Sequence, residues 1–95
     1  MQTYYPHSDV YENQDSYMII SDLPGVTSDK LKLIVEAGQL RLEGDAPEWR
    51  FARAFRLPRE VDGDHIKAEL RNGVLSVQVP KRAELRPRRI PIAES

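Results

Sequence analysis

Apolar and polar residues alternate with a period of two along most of the chain, which is the pattern of strands that bury one face. In the clearest segment, Lys30–Glu36, residues Leu31, Leu33 and Val35 share a face. A helix over residues 27–35 is the alternative, because residues 27–30 could open a helical turn, but the strict alternation after Lys30 favours a strand. Comparable segments recur at spacings of about 8–12 residues, so the sequence predicts about seven strands, no long helix and an antiparallel β-sandwich. The predicted strands cover residues 10–12, 17–22, 30–36, 39–43, 50–57, 66–70 and 74–79.

The last two predicted strands flank Asn72-Gly73, the strongest short-range signal for a β-hairpin. A type I′ turn needs positive φ at both central residues, and Asn-Gly tolerates it. If the alternation is strict, Leu75, Val77 and Val79 form the buried stripe of the second strand, and Val74 points to the opposite face.

Arg53 is an unusual residue in its segment, because it shares a period-two face with Phe51, Phe55 and Leu57. A buried arginine is costly unless a carboxylate or a partner chain compensates its charge. Two interpretations remain open: an ion pair at an assembly interface, or a strand at the edge of the sandwich whose arginine reaches out to solvent.

The end of the chain differs in character from the rest. Residues 81–89 carry five basic side chains and one acidic one, a local charge of +4. Because no aromatic residue is interleaved among them, a solvating linker is favoured over a nucleic-acid or lipid-binding segment. Ile90-Pro91-Ile92 follows, and two apolar side chains at i and i+2 of an extended backbone point the same way. They form either a docking plug for a hydrophobic groove, in this chain or a neighbour, or a stray apolar pair.

Composition excludes several classes of protein. The 95 residues fit one domain, and 14 basic against 15 acidic residues give a net charge of −1, with no global attraction to nucleic acid or anionic membranes. The chain has no cysteine, which excludes disulfides, thiol nucleophiles and cysteine-ligated metals. No apolar run approaches the roughly 18 residues that span a bilayer, and no signal peptide is visible. We therefore expect a cytoplasmic protein without membrane or nucleic-acid partners.

No constellation of residues indicates catalysis. The chain lacks a phosphate-binding glycine loop and a nucleophile elbow, and its carboxylates are scattered. Asp62-Gly63-Asp64-His65 superficially resembles a metal loop, but it lacks the spacing of oxygen ligands that hard cations need, so a turn is favoured. The sequence predicts no enzyme activity, no cofactor and no metal site.

Several motifs occur in the order seen in small heat-shock proteins. The most specific is Ala-x-x-x-Asn-Gly-Val-Leu, complete at residues 68–75. The chain resembles this family from about residue 7 to residue 92. The other matching segments are Asp22-Leu23-Pro24-Gly25-Val26, Phe55-Arg56-Leu57-Pro58, Val79-Pro80-Lys81 and Ile90-Pro91-Ile92.

The resemblance implies the α-crystallin domain, an immunoglobulin-like β-sandwich, and an ATP-independent holdase that binds unfolding client proteins and associates with itself. An assembly or interaction module of the same fold, with little chaperone activity, is the alternative. In the family, the isoleucine pair of the tail (here Ile90 and Ile92, around Pro91) docks between the fourth and eighth strands of another subunit. By position those strands are similar to Lys30–Glu36 and Ile66–Arg71 here. The resemblance thus implies groove residues Leu31, Leu33, Val35, Ala68 and Leu70, and places Arg53 where the family has an interface arginine.

Two departures from the family qualify these expectations. Only Gly44–Glu48 joins the strand that ends at Glu43 to the next one at Trp49, which is too short for the extra strand that many members exchange between partners. The dimer mode is therefore open. Only residues 1–6 precede the matching region, so the comparison with the family leads us to expect a reduced amino-terminal arm. We expect a short arm at residues 1–6, an α-crystallin domain at 7–81 and a carboxyl-terminal extension at 82–95.

Overall fold

The alternating segments form two four-stranded sheets in a computed structural model, which describes residues 2–94. The sheet orders are β1-β6-β5-β4 and β2-β3-β8-β7. Every pairing is antiparallel except that of β1 with β6. The prediction of a β-sandwich is confirmed. In chain order the strands are β1 (Gln2–Tyr4), β2 (Ser8–Glu12), β3 (Ser16–Asp22), β4 (Leu31–Glu36), β5 (Gln39–Asp45), β6 (Trp49–Arg56), β7 (Lys67–Arg71) and β8 (Val74–Pro80).

Helical structure within residues 2–94 is limited to three 3-10 turns, at Ser28–Lys30, Gly63–His65 and Ala83–Leu85. The first lies where the alternative helix over residues 27–35 would begin, but β4 starts directly after it at Leu31, so the strand is confirmed there. No helix in this part of the chain is long and apolar enough to cross a membrane.

The core lies between the inward faces of the two sheets. Leu40 and Leu42 of β5 are 1% exposed, as is Leu75 of β8, while Val77 and Val79 are fully buried. This is the stripe that the alternation of β8 predicts, and Val74, on the opposite face, is 38% exposed. The remaining buried apolar residues are Ile19, Leu23, Val26, Ala46, Phe51 and Phe55.

Two hairpin turns have positive φ at both central residues. Asn72 and Gly73 have φ of 51° and 76°, which confirms the turn expected from Asn-Gly. The Leu23 N–H also donates to the Gly73 carbonyl at 2.6 Å, so this turn is tied to the end of β3. The turn between β4 and β5 has the same signs of φ, 51° at Ala37 and 74° at Gly38, although alanine is poorly suited to that region.

The structure adds one strand and moves at least one end of every predicted strand by one or two residues. Strand β1 was not predicted, because three residues carry too little alternation to show a period. Gly44 does not break β5, which continues to Asp45; a Cβ at Gly44 would lie 3.2 Å from the Val26 Cγ1 atom, so the glycine makes room for a close contact. Ile66 lies outside β7. The connection from β5 to β6 is as short as expected, with the Ala46 N–H donating to the Trp49 carbonyl at 2.9 Å.

Candidate binding surfaces

The predicted groove residues lie on the inward faces of two edge strands. Strand β4 pairs only with β5, and β7 only with β8. The two edges lie on the same side of the sandwich, because Gly63, just before β7, would place a Cβ 3.9 Å from the Val35 Cγ1 atom. We call this surface the edge groove; it comprises Leu31, Leu33 and Val35 of β4 with Ala68 and Leu70 of β7.

The residues of the edge groove differ in depth. Leu31, Leu33 and Leu70 are half-buried and pack against the core. Val35 is 46% exposed and Ala68 is also exposed. The apolar surface that another chain could reach is therefore centred on Val35 and Ala68, while the three leucines form its floor.

The first residues of the carboxyl-terminal extension are fixed to the sandwich. The Lys81 Nζ atom lies 2.7 Å from the Glu12 Oε2 atom, donates to the Asn13 carbonyl at 2.8 Å and sits 5.0 Å from the centroid of the Tyr17 ring. The Arg86 Nε atom donates to the Lys81 carbonyl at 2.9 Å. These contacts attach Lys81 to the sandwich and tie Arg86 back to Lys81, and we call residues 81–86 the fixed base of the extension.

A tyrosine and a carboxylate reinforce this attachment. The Tyr17 hydroxyl donates to Glu60 Oε1 at 2.7 Å, and the Arg82 N–H donates to the Glu60 carbonyl at 2.6 Å. The hydrogen bond to Glu60, followed by burial and by the charge of Glu12, holds the pKa of Tyr17 well above its ordinary value. The same hydrogen bond lowers the pKa of Glu60. At neutral pH the pair is therefore a protonated donor facing a carboxylate.

The isoleucine pair lies beyond this attachment and touches no groove in its own chain. Ile90 is 81% exposed and Ile92 is 89% exposed. The described chain measures 70 by 28 by 20 Å, because this end projects away from the sandwich. From Arg86, the six residues 87–92 can extend by about 20 Å.

Arg53 lies between the sheets, beneath the segment that crosses from β1 to β2. Its guanidinium stacks 4.5 Å from the centroid of the Tyr5 ring and 4.8 Å from that of Phe55. Its Nη1 atom donates to the carbonyl of Pro6 at 3.1 Å, while its buried Nε atom has no partner among the described residues. No carboxylate of residues 2–94 forms an ion pair with it. Within one chain, Arg53 therefore fastens the amino-terminal segment, a contact that sequence periodicity cannot reveal.

We expect Arg53→Met to loosen this segment. The substitution removes the hydrogen bond to the Pro6 carbonyl and the cation–π contact with Tyr5, each worth about 0.5 kcal/mol at a partly exposed site. Amide hydrogen exchange of the β1–β6 ladder should accelerate by about fivefold, which corresponds to about 1 kcal/mol of local stability. Arg41→Met is the control, since Arg41 lies on the outer face of β5 with Glu43 3.6 Å away. Equal exchange in both variants would contradict this role.

Residues 62–65 form a turn, as the sequence favours. The Asp62 side chain accepts a hydrogen bond from the Asp64 N–H at 3.1 Å, and the His65 Nδ1 atom lies 2.7 Å from Asp62 Oδ2. The part of the chain that the structure describes contains no group of three or more histidine or acidic side chains placed to hold a metal ion.

The residue of these surfaces that sequence reasoning missed is Lys81. Its charge groups it with the basic residues of segment 81–89, but its side chain is only 13% exposed. The available signal was its position directly after Pro80, at the end of a buried strand. Its partners Glu12 and Asn13 are about 70 residues earlier in the chain, so no local pattern identifies them.

Comparison of the whole sequence with known proteins identifies the family that the chain matches. The model of the Hsp20/alpha crystallin family matches residues 9–93. Spore protein SP21 of Stigmatella aurantiaca is 33% identical over 95% of this chain and 63% of its own length. Small heat shock protein C4 of Rickettsia felis is 28% identical over 93% of this chain and 64% of its own length. The chain thus spans somewhat less than two thirds of these relatives.

Solved structures share the whole fold. A small heat-shock protein from Xylella fastidiosa, described as having a distinct high order structure, has a TM-score of 0.78 and 29% identity over 96% of this chain and 98% of its own. Heat shock protein 16.0 from Schizosaccharomyces pombe has a TM-score of 0.74 and 27% identity over 97% and 99%. The α-crystallin fold is confirmed.

Within the matched region, this chain has fewer residues than its relative. The match to the spore protein spans 106 positions, while 95% of 95 residues is about 90, so about 16 positions of that relative have no counterpart here. A short β5–β6 connection is consistent with this difference.

Proposed function

Because the chain belongs to the Hsp20/alpha crystallin family of small heat shock proteins, we propose that it is an ATP-independent holdase that binds unfolding proteins and limits their aggregation. Proteins of this family are in general chaperone-like and non-enzymatic. The observation that carries the proposal is the pairing of an apolar edge groove with two almost fully exposed isoleucines in one chain. A cytoplasmic location stays a prediction from the sequence.

The edge groove is the proposed client surface. Unfolding proteins expose extended apolar segments, and an edge strand can accept such a segment by adding it to the sheet. Val35 and Ala68 are the exposed apolar side chains that a client would meet there. Binding at so small a patch should be weak and reversible, which suits a protein that holds clients only until they refold.

The isoleucine pair is proposed to compete for the same surface. Homologous small heat shock proteins are oligomeric, which supports self-association of this chain. Ile90 and Ile92 project away from their own sandwich, so the groove that they fill is proposed to belong to another copy. Because residues 81–86 are held near the sandwich, the isoleucine pair is proposed to reach another copy only within about 20 Å of Arg86, the extended length of residues 87–92.

An assembly module with little chaperone activity is the second candidate, and one observation favours it. Three of the five groove residues, Leu31, Leu33 and Leu70, already pack against the core of their own chain. The apolar area left for clients is therefore small, and a groove of this size could serve the isoleucine pair of another copy alone.

Val35→Glu separates the two candidates. The structure makes it a cleaner test than Leu33→Glu, because Leu33 contributes to the core while Val35 is 46% exposed. If the groove holds clients, Val35→Glu should at least halve the protection of a heated client from aggregation, measured by light scattering at equal mass. Lys32→Glu is the control, since Lys32 is exposed on the opposite face of β4.

A chain ending at Arg89 completes the test. Under the holdase proposal, removal of the isoleucine pair frees the groove, and protection should change while the fold is kept. Unchanged protection in both Val35→Glu and the truncated chain would exclude the edge groove as the client surface. Wild-type protein that fails to protect several clients would favour the assembly module instead.

A further inference from the structure

The edge of the second sheet opposite the edge groove is unpaired. Strand β2 bonds only to β3 within the described chain, and its Val10 and Tyr11 are 56% and 59% exposed. It contains no proline or bulge, two devices that commonly protect edge strands from pairing with other chains, and its only charged residues are the carboxylates Asp9 and Glu12. The short β5–β6 connection closes within a tight turn at residues 46–48 and provides no segment for this edge.

The hydrogen-bonding ladder shows which backbone groups face outward. The Asp22 N–H donates to the His7 carbonyl at 2.9 Å, and the Asn13 N–H donates to the Ser16 carbonyl at 3.0 Å. Bonded and non-bonded pairs alternate along an antiparallel ladder, so Asp9 and Tyr11 bond to β3. The N–H and C=O groups of Ser8, Val10 and Glu12 therefore point to the free edge.

We propose that this edge pairs with β2 of a second copy, antiparallel and centred on Val10. The inference rests on the self-association proposed above and specifies one of its interfaces. With Val10 opposite Val10 of the second copy, all three outward-facing residues of each strand enter hydrogen-bonded pairs. Ser8 then lies opposite Glu12, and Asp9 lies opposite Tyr11.

The registers shifted by one residue in either direction are less favourable than the one centred on Val10. A shift of the centre to Asp9 would place two Asp9 carboxylates directly opposite each other, which is destabilising. A shift to Tyr11 leaves Ser8 of each copy unpaired. Centred on Val10, no like charges are opposed, and the carboxylate of Glu12 is already paired with Lys81 at 2.7 Å.

An apolar cavity beside β2 supports the same arrangement. It has a volume of about 310 Å³ and opens between β2 and the end of β6. Val10 lies on the inward face of β2, opposite the buried Ile19. Val10 of a second copy would lie on the same face and cover the mouth of this cavity. Its apolar lining includes Val10, Tyr17, Ile19, Phe55, Leu57 and Val79.

Single cysteines test the pairing directly, since the natural chain has none. In the proposed register, the two Val10 Cα atoms are about 5.5 Å apart, within the range of a disulfide. Two Tyr11 residues are diagonal neighbours about 7–8 Å apart and cannot be bridged. Under mild oxidation, Val10→Cys should form covalent dimers at least about tenfold faster than Tyr11→Cys. Val74→Cys, on an outer sheet face, measures random collision.

Charge-reversed variants give an independent readout in solution. Val10→Lys and Val10→Glu should each lose this interface, because like charges then face each other across it, and an equimolar mixture should recover the wild-type mass. Faster cross-linking of Tyr11→Cys, or no cross-linking above Val74→Cys, would overturn the proposal. If wild-type oligomers persist in that case, self-association stands through another interface; a monomeric wild-type chain would contradict both.

Discussion

Gly73→Val should lower the free energy of unfolding by about 2 kcal/mol, the upper end of the cost of a left-handed conformation in a side-chain-bearing residue. Gly73 has φ of 76°, and a Cβ there would lie 3.4 Å from both the Leu23 carbonyl oxygen and the Pro24 Cα atom. The carbonyl of Gly73 also accepts the Leu23 N–H, so movement of the turn would disturb the end of β3. For a domain of this size the melting temperature should fall by about 8–16 °C.

The hairpin between β4 and β5 provides a control in which the expected change in melting temperature is an increase. Ala37 has φ of 51° in the turn between β4 and β5, and asparagine tolerates this region better than alanine. Ala37→Asn should therefore raise the melting temperature by a few degrees. A melting temperature that is unchanged by Gly73→Val would show that the turn at Asn72-Gly73 adopts another conformation in solution.

Period-two alternation predicted the interior of the sandwich well, because burial of one face is the dominant constraint on each strand. The stripe in β8 and the exposure of Val74 follow from it directly. It could not predict β1, whose three exposed residues are held by parallel pairing with β6. Such pairing depends on contacts almost 50 residues apart, as between Gln2 and Trp49.

Alternation also identifies which residues share a face without revealing how deeply each is buried. Leu33 and Val35 are equivalent by period, yet Leu33 packs against the core and Val35 does not. How deeply a side chain is buried depends on which side chains of the facing sheet lie against it, and these contacts form only in the tertiary structure. For the same reason, the two interpretations of Arg53 drawn from the sequence both omitted its contact with Pro6.

The fixed base and the free end of the extension have different physical roles. Contacts of Lys81, Tyr17 and Glu60 reduce the number of conformations available before Arg86. If the isoleucine pair docks as proposed, the conformational entropy lost on binding is confined to the short segment after Arg86. In the proposed exchange, the charge and the prolines of this segment favour the extended, solvated state of the tail after the isoleucines leave a groove.

Ile90→Ala combined with Ile92→Ala should lower the solution mass of the protein. Burial of two isoleucine side chains contributes roughly 3–6 kcal/mol before the entropy of ordering the segment is subtracted. Truncation to alanine removes most of that gain while it leaves the sandwich untouched, because both side chains are more than 80% exposed within their own chain. Light scattering across a range of protein concentrations measures the change, and an unchanged circular dichroism spectrum should show that the sandwich is kept.

Leu85→Ala is the matched control for the isoleucine pair. Leu85 is an apolar residue of the same extension, 55% exposed, but it lies in the fixed base before Arg86. If apolar character alone drives association, Leu85→Ala should lower the mass as well; if the pair docks in a groove of another copy, only the isoleucine variant should. Mass that is unchanged in the isoleucine variant would contradict docking between chains, and association would then have to depend on the strand edges alone.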